Sequence, residues 1–78
     1  MIMKINLGKN IYKLRKKNGI SQEQLAESLG VSRQTIYKWE TNLAIPRSDK
    51  LVDMVDIFKV SYNDLFNEHL FKEDEFND

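Results

Sequence analysis

The sequence predicts an all-α chain, a compact bundle of five short helices. Three observations carry this. Apolar residues recur at helical spacing, as in Leu7, Ile11 and Leu14 at i, i+4 and i+7, and no stretch alternates as a strand would. Four serines, Ser21, Ser32, Ser48 and Ser61, stand just before helical stretches, where a hydroxyl can cap the first turn. Between the stretches lie Gly19, Gly30, Asn42 and Pro46, residues that end helices or block their continuation.

The first helix carries the Leu7, Ile11, Leu14 stripe and stops at Asn18-Gly19, both tolerant of the left-handed conformation. The second opens on Ser21 with Gln24 three residues on, a capping box. Ile20 and Leu25 flank the cap as a hydrophobic staple, and Leu25, Ala26 and Leu29 form the buried stripe before Gly30. The third repeats the device, with Ser32 as cap and Val31 and Ile36 as the staple, and ends near Asn42. Pro46 closes the loop that follows. Ser48 is expected to cap the fourth helix, with Leu51, Val52, Val55 and Phe58 facing the core. Ser61 caps the fifth, with Asp64 in its first turn and Val60 and Leu65 as the staple. The second and third helices are joined by Gly30-Val31-Ser32, a three-residue turn with glycine that marks a helix-turn-helix.

Seventy-eight residues make one small domain. A chain of this size buries only about 60% of its unfolded surface, so its stability margin is thin. It has no cysteine, hence no disulfide and no thiolate metal site. His69 alone cannot build a metal centre, and no nucleophile–base pair or phosphate-cradling glycine loop is present. No cofactor, no metal and no enzymatic activity are expected. No apolar run is long enough to span a membrane and the N-terminus does not read as a signal peptide, so a cytoplasmic location is expected.

The formal net charge of zero hides a split. Residues 1–50 hold ten Lys and Arg against four Asp and Glu, a net +6; residues 51–78 hold two against eight, a net −6. One half is suited to a polyanion and the other is not.

Placing residues at ~100° per step around the third helix puts Ile36 and Trp39 on its inner face. Gln34 and Lys38 then point outward, flanked by Thr35 and Tyr37, with Arg33 in the first turn. Arg can fork onto guanine, Gln can pair with adenine, and Lys and Tyr add a charge and an apolar ring. The bland alternative for such a face is plain solvation. Its attachment to a short glycine turn and a basic half favours nucleic acid.

Residues Gln22 to Glu40, with Leu25-Ala26 in the second helix, Gly30-Val31-Ser32 at the turn and Trp39-Glu40 closing the third, resemble the Xre / phage lambda Cro–C1 type helix-turn-helix regulators. The resemblance runs from about Leu7 to Phe66 and implies a lambda-repressor-like fold. Asn42 stands where many members have glycine. The resemblance implies that Arg33, Gln34 and Lys38 contact base edges with Tyr37 beside them. It implies that Ser21, Gln22, Thr35, Thr41 and Arg47 lie along the phosphate backbone. It also implies a structural ion pair between Arg15 and Glu40.

The third helix, 32–41, is therefore expected in the major groove of double-stranded DNA. Residues 1–66 are expected to form the DNA-binding domain, with the helix-turn-helix at about 21–41, and 67–78 an acidic C-terminal tail. Apolar residues beyond the needs of one short terminal helix, Leu65, Phe66, Leu70 and Phe71, are expected at a homodimer interface. A dimer implies a near-palindromic operator and a transcriptional regulator, in the first instance a repressor. The alternative is a protein-interaction module on the same fold, such as an antitoxin or phage accessory protein.

Overall fold

The computed structural model describes residues 7–67. They form α1 (Leu7–Lys17), α2 (Gln22–Leu29), α3 (Arg33–Glu40), α4 (Ser48–Phe58) and a 3-10 helix (Tyr62–Phe66), with no strand among the described residues. Among the described residues there are thus four α-helices, and the expected fifth helix is a 3-10 turn.

The caps explain the boundaries. Gln24 donates its backbone N–H to Ser21 Oγ at 3.0 Å, and Ser21 donates its own N–H to Gln24 Oε1 at 2.8 Å. Each satisfies an amide that a helix start leaves orphaned. Gly30 ends α2 at φ 69°, and Val31 N–H reaches back to Ala26 O at 3.0 Å, a Schellman closure. Ser32 Oγ accepts from Thr35 N–H at 3.1 Å and opens α3.

The start and register of α4 differ from expectation. Arg47, not Ser48, is the cap residue, since its carbonyl accepts the first helical bonds from Lys50 and Leu51, and it gives no side-chain cap. The buried stripe is Leu51, Met54 and Phe58, whereas Val52 is 54% exposed. Adjacent residues on a helix lie ~100° apart, so Leu51 and Val52 cannot share one narrow core face.

The 3-10 helix has a cause in α1. Ser61 and Asp64 build a reciprocal capping box at its start. At its end, the buried Asn10 donates Nδ2–H to the carbonyls of Leu65 and Asn67, both at 2.9 Å. Those carbonyls are drawn toward α1, and Asn67 takes an extended conformation. Ile11, Leu25, Ile36, Met54 and Leu65 are fully buried, one from each element, so a single core ties all five together. Leu65 is 0% exposed; it cannot meet a partner chain as expected, and instead seats the 3-10 helix in the core.

Candidate nucleic-acid interface

The outer face of α3 is set by what lies beneath it. Ile36 and Trp39 are buried, which turns Arg33, Gln34, Tyr37 and Lys38 to solvent. Thr35 is half-buried, and its hydroxyl lies 3.0 Å from Ser32 Oγ.

Two contacts hold α3 against α1, and a third ties α4 to α2. Gly8 packs α1 directly against the last carbonyls of α3, and donates its N–H to Asn42 Oδ1 at 3.2 Å. Arg15 donates Nε–H to Glu40 Oε2 at 2.6 Å and Nη2–H to Oε1 at 3.2 Å, with the two side chains only 9% and 4% exposed. This bidentate geometry is the strong form of an ion pair. Arg15 also donates Nη1–H to Ile20 O at 2.8 Å, so one guanidinium joins α1, the α1–α2 turn and the end of α3. On the far side, Lys50 of α4 donates to Leu29 O at 2.7 Å and closes the C-terminus of α2.

The residues expected along a phosphate backbone are not equivalent. Ser21 is exposed, and its hydroxyl is taken up by the cap. Gln22 turns inward: its Nε2 donates to Glu40 Oε1 at 3.0 Å. Thr41 donates its hydroxyl to Tyr37 O at 2.8 Å, an intrahelical contact on the exposed side. Arg47 projects into solvent beside Asp49, at 3.7 Å. Ser21, Gln22 and Arg33 line an open cleft of about 590 Å³ together with Arg15 and Lys16. Lys16 was not singled out from the sequence; the signal was the basic run Arg15-Lys16-Lys17 ending α1 beside that cleft. Asn10, Gly8 and Lys50 also escaped notice, since each acts through a backbone group distant in sequence.

Of the expected dimer residues, Phe66 is half-buried and its ring lies 5.5 Å from that of Tyr62. Leu70 and Phe71, with the acidic tail, lie outside the described residues. The exposed Val52 lines a shallow groove with Val55 and Val60, next to the 3-10 helix. Among the described residues no group of His, Cys, Asp or Glu is arranged to hold a metal, and no helix is long and apolar enough to cross a membrane.

A solvent-facing helix side that carries Arg33, Gln34, Tyr37 and Lys38 suits the major groove of a duplex. The comparisons with known proteins agree. A family model for the helix-turn-helix matches residues 11–65. A protein of Methanocaldococcus jannaschii described as an HTH-type transcriptional regulatory protein is 44% identical over 62 residues, 76% of this chain and 20% of that protein. The HTH-type transcriptional activator BcrR of Enterococcus faecalis is 33% identical over 63 residues, 81% of this chain and 31% of that protein. The chain thus spans between a fifth and a third of the length of these relatives. Among solved structures, the biofilm master regulator SinR in complex with DNA superimposes with a TM-score of 0.71 at 31% identity, covering 78% of this chain and 98% of that one. The P22 c2 repressor in complex with a synthetic operator gives 0.73 at 30% identity, covering 78% and 92%. The chain belongs to the Cro/C1-type helix-turn-helix family of transcriptional regulators.

Proposed function

We propose that this chain is a sequence-specific DNA-binding regulator that acts by occupying an operator. The observation that carries this is the solvent-facing set Arg33, Gln34, Tyr37 and Lys38 on a helix locked from behind by Ile36, Trp39 and Glu40. In this reading α3 enters the major groove. Arg33, Gln34 and Lys38 read base edges, and Tyr37 packs beside them. The first-turn amides of α2, with Lys16 and Arg47, meet phosphates and set the register without reading sequence.

The protein binds as a homodimer on a near-palindromic site, through a face built around Val52, Val55, Val60, Tyr62 and Phe66. One recognition helix reads only a few base pairs, too few to single out a genomic site, and a second half-site multiplies the discrimination. Half-sites then fall about one helical turn, roughly 34 Å, apart. In this reading the α4 side, with Asp53 and Asp56 at the groove, is turned away from the phosphates, which would repel it. Bound this way, the dimer blocks an overlapping promoter and represses; a promoter reporter separates this from activation. Selection of bound sites from random double-stranded DNA tests the whole reading. It should return a two-fold-related consensus, and recovery of unrelated sequences would overturn it.

A further inference from the structure

We propose that Asn18 is a deamidation site, that the folded turn restrains the reaction, and that its product weakens DNA binding. The last clause rests on the reading of the cleft beside α2 as a phosphate-facing surface. Asn18 is the one asparagine of the chain followed by glycine. Glycine has no side chain to hinder ring closure, so its amide nitrogen reaches the preceding side-chain carbonyl most easily. The Gly19 N–H loses its proton, and the nitrogen attacks Asn18 Cγ. The Cγ–Nδ2 bond breaks, and Nδ2 takes the proton and leaves as ammonia. The cyclic imide then takes up one water and opens to aspartate or isoaspartate.

Asn18 is exposed, so water and hydroxide reach it, but both reacting groups are engaged. Asn18 Nδ2 donates to Leu14 O at 2.7 Å, and Gly19 N–H donates to Lys16 O at 3.0 Å. The reaction therefore waits for this turn to open, and its rate falls with the open fraction. The product cannot restore the turn. A carboxylate only accepts hydrogen bonds, and here it meets Leu14 O and the negative end of the α1 dipole. Isoaspartate also adds a carbon to the backbone between Leu14 and Ile20. That path is held by Ile20 N–H on Arg15 O at 3.0 Å and by Arg15 Nη1–H on Ile20 O at 2.8 Å, the same guanidinium that braces α3. Gly19 lines the cleft with Lys16, Gln22 and Arg33, so the new negative charge adjoins the surface that is to meet phosphate.

Peptide mapping by mass spectrometry, after incubation at mildly alkaline pH, tests the site. Asn18 should convert before any other asparagine. In the folded protein it should react at least about tenfold more slowly than in a free peptide spanning residues 17–20, and urea should abolish the difference. Conversion of another asparagine first, an inert Asn18 in urea, or a folded-state rate equal to that of the peptide would each overturn the site. For the product, Asn18→Asp should bind duplex DNA of any sequence about fivefold more weakly at low salt, whereas Asn18→Gln, a neutral amide, should stay near the parent. Should Asn18→Asp fold poorly, the aged protein, resolved from the parent by ion exchange, gives the same measurement. A product that binds as tightly as the parent would overturn the effect on DNA. If the parent itself binds no duplex, the DNA-binding reading falls instead, and the mapping still decides the site.

Discussion

Gly8→Ala should destabilise this protein, against the ordinary preference of helices. Gly8 lies in the first turn of α1, where alanine is normally favoured by up to about 1 kcal/mol. A Cβ at this position would stand 2.6 Å from Trp39 O, 2.7 Å from Glu40 O and 2.7 Å from Asn42 Oδ1. The nearest contact falls 0.8 Å short of the 3.4 Å at which ordinary packing begins. The Asn42 amide can turn away, but the two carbonyls are backbone at the end of α3, and Trp39 O is held by Asn42 N–H at 3.2 Å. Relief requires α1 to withdraw from α3, at an overpacking cost of about 1–3 kcal/mol. Withdrawal also lengthens the Gly8–Asn42 hydrogen bond, which contributes about 1 kcal/mol. Against the propensity gain, a net loss of about 1–3 kcal/mol remains, a fall in Tm of roughly 5–20 °C for a domain this small. Thermal and urea unfolding followed by circular dichroism measure it. Gly30→Ala is the control: nothing lies within 4 Å of its Cβ, so it reports only the backbone strain of φ 69°. A Gly8→Ala variant as stable as the parent would refute the close approach of α1 and α3 on which the placement of the recognition helix depends.

Arg33→Ala and Gln34→Ala should each cost about 1–3 kcal/mol of operator binding and relax one base position, whereas Arg47→Ala should weaken all sequences and lower the salt slope by about one; titrations at several salt concentrations on operator and unrelated DNA distinguish them. Arg15→Ala or Glu40→Ala should destabilise the fold by up to about 3–5 kcal/mol, since each strands a buried charge; melts of both single variants and the double should be strongly non-additive. Lys59→Gly should stabilise by about 0.5–1 kcal/mol, because Lys59 caps α4 at φ 58°, a conformation that costs a side chain more than it costs glycine. Val52→Asp should shift the protein toward monomer in sedimentation while leaving its melt nearly unchanged at concentrations low enough for both proteins to be monomeric, as the side chain is 54% exposed; a dimer that survives would remove this face from the interface.

The parts legible in the sequence were those that depend on neighbours in the chain. A cap needs only a serine and the amide three residues on, so Ser21, Ser32 and Ser61 marked their helices correctly. Ser48 failed because Arg47, held extended at φ −70° and ψ 159° after the buried Pro46, already offers its carbonyl to Lys50 and Leu51, and α4 starts one residue early. The inner face of α3 was legible for the same local reason, with Ile36 and Trp39 at helical spacing. What was not legible is set by contacts across the fold. Nothing near Asn10 in the sequence signals that it will take the carbonyls of Leu65 and Asn67, 55 and 57 residues away. The same holds for Leu65: its apolar character was plain, but whether it faced core or partner depended on where α1 and α4 lay.

Asn42 shows how a departure from a family pattern can carry structural information. A residue at φ 63° is needed to turn the chain after α3, and glycine meets that need at least steric cost. Asparagine tolerates the same conformation at a modest penalty. Glycine, however, has no side chain, and here the side chain is used: Asn42 Oδ1 accepts the N–H of Gly8 at 3.2 Å. That amide lies in the first turn of α1, where no carbonyl of the helix itself is in register to accept it. The residue that ends the recognition helix therefore also caps the helix bracing it, and Gly8 must lack a Cβ for the two ends to approach. Asn42 and Gly8 form one device. Each substitution alone should disturb the seat of α3, and a variant carrying both Gly8→Ala and Asn42→Gly should lose less than the sum, because the contact they share can be lost only once.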